Sequence, residues 1–297
     1  MGRDVFDGYH PIVNIIYFAS VIGFAMFFDH PVCLVISLAC ALSYSLYIGG
    51  KKALRFTLVY MLPLLLFTAL INPAFNHRGV TILTYLPGGN PLTLESILYG
   101  IAAATMLVTV ITWFSCFNSV ITSDKLVYLL GRLTPSLSMV LAMALRFVPR
   151  YKAQLEIISK AHRCLGRDES SGGFIQRFKT GIKIRFVMVG WALENAVETA
   201  DSTRGRGYGL PGRTAFAIYR FDRRDAYALA YIMACVSVIL VGAMTEVYRF
   251  RYFPSMRGQW GGLGTVAVFL AYLLLGAFPT VINVKDDMLW RSIESRI

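Results

Sequence analysis

The segment ILYGIAAATMLVTVITWFSCF, Ile97 to Phe117, contains no charged residue. A helix of roughly 20 residues, rising about 1.5 Å per residue, covers the hydrocarbon thickness of a bilayer. Backbone amides in lipid must pair within their own segment, so this segment is predicted to be a helix. The alternation of apolar and polar residues that is typical of membrane β-barrel strands is absent.

Further apolar segments of similar length lie on both sides of this one. They are residues 11–28, 31–48, 53–71, 226–244 and 262–284. Hydrophobic residues make up 56% of the chain and charged residues 15%, whereas soluble domains carry about a quarter charged residues. The sequence therefore predicts an all-α polytopic membrane protein with about six transmembrane helices.

Residues 118–225, between the fourth and fifth predicted spans, have a different composition. They hold 18 Lys and Arg against 9 Asp and Glu, which gives a net charge of +9 out of +12 for the chain. Positive charge marks the cytoplasmic side of a membrane protein. The short loop that contains Lys51, Lys52 and Arg55 predicts the same side, two spans earlier. One loop disagrees with this assignment. It is expected to be external, yet it carries Arg249, Arg251 and Arg257.

This assignment divides the chain into three parts. Residues 1–117 are expected to form transmembrane helices 1–4, and residues 226–297 transmembrane helices 5–6 with a short tail. Residues 118–225 are expected to form a cytoplasmic domain of long amphipathic helices. With six spans, both termini are predicted to be cytoplasmic.

Two long amphipathic helices are predicted within this domain. The apolar run 136–149 is too short to span, and Pro149 predicts a kink or break before a helix over 150–165. The later helix, 174–203, repeats apolar residues at spacings of four and three, which suits the crossing of another helix. The residues of this predicted seam are Ile182, Phe186, Val189, Leu193, Ala196 and Ala200.

The second helix leads into TADSTRGRGYGLPGRT, Thr199 to Thr214, a stretch rich in arginine and glycine. Part of it, GYGLPGRT, approaches the phosphate-binding pattern GxxxxGK[ST], with Arg213 in the lysine position. That loop needs a strand before it and a helix after it, so that backbone N–H groups surround the phosphates. Here a long helix precedes it and Pro211 restricts it, which argues against nucleotide binding.

Two other interpretations of this stretch remain. An ordinary helix C-cap explains Arg204 and Gly205, because glycine stops helices and arginine complements the negative end of the dipole. It does not explain Arg206 and Gly207. A docking knob does, because a guanidinium displayed beyond a helix end can bind carboxylate or carbonyl oxygens of a partner.

The order and spacing of these helices resemble the transmembrane T component of energy-coupling factor (ECF) transporters, the EcfT/CbiQ family. The resemblance lies in LRFVPRYKAQLEIISKAHRCLGRD and WALENAVETADSTRGRGYGLPGRTAF. It implies membrane helices around a coupling domain whose two long helices end in short Ala-Arg-Gly motifs. In that family, the motifs dock into grooves of two ATPase subunits.

Both docking motifs are placed on this sequence by the resemblance. The second falls on Gly205-Arg206-Gly207, beside Arg204, with glycine in the alanine position. The first falls on Cys164-Leu165-Gly166, where Leu165 replaces the arginine and Arg163 or Arg167 is a possible substitute.

The resemblance implies a non-catalytic coupling subunit of an ATP-driven importer of vitamins or metal ions in a bacterial cell membrane. Its partners would be two ABC-type ATPases, which bind ATP and Mg²⁺, and a membrane-embedded substrate-binding S component. This chain would hold no cofactor or metal and bind no nucleic acid. One alternative is a self-sufficient permease, which requires ionisable residues deep within the spans. Another is a membrane enzyme, which requires clustered His, Asp or Glu.

Overall fold

The computed structural model describes residues 4–85, 91–164, 173–208, 219–245, 250–258 and 261–295. They divide into two compact units. The first unit comprises Met1–Thr122 and Tyr219–Ile297, and the second comprises Ser123–Ile218. The second unit lies within the predicted insert 118–225.

Helices dominate both units, as the sequence predicted. The helices are α1 Pro11–Phe27, α2 Pro31–Phe56, α3 Leu62–Phe75, α4 Leu94–Val120, α5 Ser123–Leu133, α6 Pro135–Cys164, α7 Phe174–Gly205, α8 Arg223–Met244 and α9 Leu263–Glu294. Two short antiparallel hairpins, which the sequence did not predict, pair β1 Ile82–Tyr85 with β2 Pro91–Thr93 and β3 Phe250–Arg251 with β4 Arg257–Gly258.

Four helical stretches of the described chain are long and apolar enough to cross a membrane. They are Pro31–Phe75, Leu94–Val120, Arg223–Met244 and Leu263–Glu294. The 17 residues of α1 form a shorter apolar helix. The all-α, membrane-type fold predicted from the sequence is therefore confirmed.

The predicted second and third spans form one helical stretch, with no loop between them. α2, a π-helical turn at Thr57–Met61 and α3 follow one another directly. The break expected between the two spans is a single residue, Gly50, with φ 51° and ψ −129°. This conformation is open to glycine and strongly disfavoured for other residues.

α4 lies beside both arms of this stretch. Lys52 and Ser119 line one small cavity, and a Cβ on Gly100 would lie 2.7 Å from the carbonyl oxygen of Ala69. The chain after Gly50 therefore runs antiparallel to α4. Glycine at position 100 permits the close approach of α3 and α4, as small residues do in membrane helix packing.

An aromatic core fills the first unit. Phe6, Tyr17, Phe18, Tyr44 and Trp113 are all fully buried. The Phe6 ring lies 5.1 Å from the Tyr17 ring in an edge-on arrangement, a preferred geometry for aromatic pairs. The Trp113 indole donates a hydrogen bond to the Ser37 hydroxyl at 3.2 Å, which joins α4 to α2.

The segment before α1 is tied into this bundle by polar contacts. The Asp4 carboxylate accepts hydrogen bonds from the Tyr44 hydroxyl at 2.9 Å and from the Asn283 amide at 2.7 Å. The Asn283 side-chain oxygen accepts from the Val5 amide at 2.9 Å. The start of the chain is thereby joined to α2 and α9.

The second unit is built from α5, α6 and α7. α5 and α6 form a helical hairpin, in which the Ser138 hydroxyl donates to the carbonyl oxygen of Val127 at 2.8 Å. The sequence predicted a kink or a break at Pro149, and the break is wrong, because α6 continues through this residue. Side chains on both sides of the proline are engaged with α7: Phe147 shares a cavity with it and the Tyr151 ring contacts the Trp191 ring at 5.6 Å.

The α7 helix matches the helix predicted over 174–203, but a different face is buried. The predicted seam is exposed: 79% of the Phe186 surface is accessible, 56% of Val189 and 64% of Leu193. Ile184 and Met188 are buried instead, together with Gly181 and Asn195. Both faces carry apolar residues at helical spacing, so the pattern could not show which of them this chain covers.

Candidate docking site

The end of α7 is capped by the glycine of the second predicted docking motif. Gly207 has a φ of +78°. Its amide donates to the Arg204 carbonyl at 2.9 Å, and the Tyr208 amide donates to the Thr203 carbonyl at 3.3 Å. These two bonds form a Schellman motif, in which a left-handed residue ends the helix. Gly207 therefore ends the helix, whereas Gly205, the cap in the ordinary C-cap interpretation, is the last helical residue.

Arg206 occupies the C-cap position between these two glycines. Its φ of −82° and ψ of 10° leave the helical range, and its amide still donates to the Ser202 carbonyl at 3.2 Å. The side chain is exposed. The backbone of the tip is therefore fixed by capping bonds, while the guanidinium stays accessible.

Gly205 occupies the position where the resemblance expects alanine. A Cβ built on this residue would meet no atom within 4 Å, and Gly205 belongs to the regular helix. The local structure therefore accommodates alanine without rearrangement.

The first tip lies at the end of α6. Cys164 is the last helical residue and is exposed, and Arg163 lines a small cavity with Glu156 and Arg185. Leu165, Gly166 and Arg167, which complete the first predicted motif and its substitutes, lie outside the described residues.

α6 and α7 run antiparallel within the second unit. The beginning of α6, from Met139, shares a cavity with the end of α7, including Arg206. The end of α6, at Arg163, shares another with Arg185 near the middle of α7. Between these regions, Tyr151 contacts Trp191, and the Arg150 guanidinium lies 5.6 Å from the centre of the same indole ring.

The antiparallel arrangement places the two tips at opposite ends of the helix pair. Thirteen residues separate Tyr151 from Cys164, and fifteen separate Trp191 from Arg206. At about 1.5 Å per residue the tips are roughly 30–40 Å apart. They cannot form one composite site.

Two other kinds of site were weighed from the sequence. The phosphate-loop interpretation required a strand before Gly207, and α7 is found there; the rest of that stretch, 209–214, lies outside the described residues. In the described part of the chain, no three His, Cys, Asp or Glu side chains are grouped so as to hold a metal ion.

Comparison with known proteins finds relatives that share one description. The chain is 32% identical over 106 residues to the energy-coupling factor transporter transmembrane protein EcfT of Lactobacillus helveticus, a match that covers 35% of this chain and 38% of the relative. It is 27% identical over 194 residues to EcfT 1 of Listeria monocytogenes, which covers 61% of this chain and 70% of the relative. The chain is thus similar in sequence to the EcfT transmembrane proteins. No family model matches it.

A further EcfT, from Brevibacillus brevis, is 35% identical over 106 residues, covering 35% of this chain and 38% of that protein. The chain thus spans less than half of the Lactobacillus and Brevibacillus relatives and more than two thirds of the Listeria one. The predicted resemblance to the EcfT family is confirmed. The names describe a transmembrane component of a transporter, and the four apolar helical stretches agree with a multi-pass membrane protein.

Proposed function

We propose that this chain is the non-catalytic coupling subunit of an ATP-driven ECF-type importer. The observation that carries the proposal is the antiparallel pair α6 and α7, whose predicted docking tips lie at opposite ends. Homology to EcfT supports it. In this proposal the second unit is cytoplasmic, and each tip docks into one of two ABC-type ATPase subunits that bind and hydrolyse ATP.

Rigid tips suit the transmission of force. The Schellman bonds at Gly207 fix the backbone around Arg206, so little conformational freedom is lost when its guanidinium meets a carboxylate. The charge at the tip also favours an acidic groove and faster association. Movement of the ATPases would then be passed to the long helices rather than absorbed by a mobile loop.

The exposed apolar seam of α7 suits the remaining partner. Large exposed apolar surfaces mark interaction sites, and Phe186, Val189 and Leu193 are exposed at helical spacing. In our proposal this surface contacts the membrane-embedded S component that binds the transported vitamin or metal ion.

The positions of the buried carboxylates do not favour the permease alternative. Glu95, 2% exposed, accepts hydrogen bonds from the Thr81 amide and hydroxyl. Asp225, 4% exposed, accepts from the His10 amide and forms a capping box with Asp222. Both lie in the first turn of their helices and hold neighbouring segments, so neither is placed as a substrate ligand deep in a span.

The variant Arg206→Ala tests the docking role. We expect loss of the guanidinium to reduce recovery of the ATPases with the tagged chain roughly tenfold or more, since charge-assisted contacts contribute about 1.5–3 kcal/mol. Membrane insertion should be unaffected. Lys183→Ala, which removes an exposed charge elsewhere on α7, is the matched control. Equal recovery of the ATPases with both variants would refute the docking role.

The permease alternative has its own test. The purified chain alone would be reconstituted in liposomes and assayed for substrate uptake. We expect no uptake without the ATPases and the S component, and uptake by the chain alone would favour the permease.

A further inference from the structure

A cavity of about 580 Å³ lies between the first half of α6 and the last turns of α7. Three arginine side chains line it: Arg146 and Arg150 from α6, and Arg206 from α7. One carboxylate, Glu198, lies on the same wall. The predicted docking role uses only Arg206, so the other two arginines need a separate explanation.

The charge of the cavity indicates an anionic ligand. Three guanidiniums against one carboxylate leave an excess positive charge, and Arg146 and Arg150 are four residues apart, where like charges destabilise a helix. An anion bound between them would relieve this repulsion. The Arg150 guanidinium is already positioned by its contact with the Trp191 indole at 5.6 Å.

The chemistry of the lining favours a phosphate group. Guanidinium forks pair with phosphate oxygens through two parallel hydrogen bonds. Ser202 also lines the cavity, and a serine hydroxyl is a further donor. The volume falls within the range of ligand-binding pockets.

The apolar part of the cavity favours a lipid over a soluble phosphate. Met139, Met143 and Phe147 form this part of the wall. Val140, the residue after Met139 on α6, is 63% exposed and extends this apolar surface for acyl chains. Basic pockets between helices of membrane proteins bind the headgroups of anionic lipids.

We propose that the cavity between α6 and α7 binds the phosphate group of an anionic membrane lipid. Arg146 and Arg150 would bind the phosphate oxygens, and the methionines and Phe147 would contact the acyl region; Arg206 would add positive charge at the rim of the cavity and remain the docking side chain. Glu198 would weaken binding by repulsion. The proposal concerns lipid binding by this chain and does not depend on the ATPases.

The test uses the full-length chain, delipidated in a neutral detergent, with bound lipids counted by native mass spectrometry. Phosphatidylglycerol is expected to bind roughly tenfold more tightly than phosphatidylcholine, and the double variant Arg146→Gln/Arg150→Gln to remove most of this preference. The control Lys152→Gln/Lys183→Gln removes the same charge from exposed positions that do not line the cavity and should retain it. Equal losses in both double variants would overturn the proposal, because the preference would then reflect net charge alone.

A variant that is expected to bind lipid more tightly shows that weaker binding in the other variants is not caused by misfolding. Glu198→Gln removes the repelling carboxylate and should strengthen phosphatidylglycerol binding a few-fold, an outcome that a damaged protein cannot give. Weaker binding would mean that Glu198 serves to pair the arginines, and the cavity would then be structural.

Two further measurements distinguish a lipid from the other anionic ligands that the cavity could bind, which are soluble phosphates and the ATPases. Glycerol 3-phosphate, added at millimolar concentration, should fail to displace the lipid. Complete displacement would assign the site to soluble phosphates. If phosphatidylglycerol showed no preference and Arg146→Gln/Arg150→Gln instead lost the ATPases, the cavity would belong to the docking surface and the lipid proposal would fall.

Discussion

Gly205 and Gly207 stand two residues apart in the same tip and have different conformational requirements. Gly205 is helical with open space where a Cβ would lie, whereas Gly207 has the positive φ that closes the Schellman motif. Only Gly207 needs to be glycine for structural reasons. The departure from Ala-Arg-Gly at Gly205 is therefore compatible with the same tip geometry.

Alanine substitutions at these two positions should have opposite effects on the tip. Gly205→Ala is expected to stabilise the last turn by up to about 1 kcal/mol, because glycine is a poor helix former. Gly207→Ala is expected to cost about 1–2 kcal/mol, because an L-residue is strained in the left-handed conformation. Hydrogen exchange at the amides of residues 203–208 measures both changes. Faster exchange in Gly205→Ala, or unchanged exchange in Gly207→Ala, would contradict this account of the cap.

α7 carries two apolar faces that differ in exposure. Ile184, on the buried face, is 1% exposed, whereas Leu193, on the seam, is 64% exposed. Leu193→Asn should therefore leave the stability of the chain nearly unchanged and reduce recovery of the S component. Ile184→Asn should lower the thermal unfolding temperature, because it buries a polar group in an apolar site.

Thermal unfolding in detergent and co-purification with the S component measure these two effects separately. Full recovery of the S component with Leu193→Asn would argue against the seam as its contact surface.

The antiparallel pairing of α6 and α7 makes a prediction about distance. Spin labels on the native Cys164 and on an Asp201→Cys variant should be roughly 30 Å apart, from the helical rise on either side of the Tyr151–Trp191 contact. Cys33, Cys40, Cys116 and Cys235 are buried, so labelling should concentrate at the two exposed thiols. A distance near 15 Å would mean that the tips lie on one side, contrary to the antiparallel arrangement.

Sequence patterns predicted where helices occur better than they predicted whether neighbouring helical segments join into one helix. Long apolar blocks indicate helices without reference to neighbours, and the helix over 174–203 was placed within two residues of its observed end. The continuity of α6 through Pro149 could not be inferred, because proline is a local signal for either a kink or a break. The same limit explains the wrong face on α7.

The candidate site was predictable to a similar extent. Arginine and glycine at a helix end marked the second tip, and its capped geometry agrees with a display of Arg206. The roles of Arg204, Arg206 and the first tip at Arg163–Cys164 stay predictions. Sequence reasoning did not find Arg146 and Arg150 beside Arg206, because sixty residues separate the two segments and only the antiparallel pairing brings them together.

At the scale of the whole molecule, the first unit depends on a polar anchor at its N-terminal segment. Asn283 is fully buried and pairs with both Asp4 and Val5. Asn283→Ala should lower the free energy of unfolding by about 1–3 kcal/mol, because it leaves buried polar groups without partners. Tyr47→Phe, which removes a less buried bond to Asp287, should cost about 1 kcal/mol or less.

Chemical unfolding in detergent would compare the two variants with the parent chain. Equal small losses for both would mean that the N-terminal anchor adds little to the stability of the bundle.

The crossing of α6 and α7 at Tyr151 and Trp191 has a mechanical consequence. The helix segment from this contact to each tip is about 20 Å long. The contact therefore lies near the midpoint between the two tips, and we call it the pivot of the pair. A tilt about the pivot would displace Cys164 and Arg206 by similar amounts in opposite directions. If two ATPases dock at these tips as proposed, both would meet a displacement of similar size, and any inequality between them would arise from their own docking grooves.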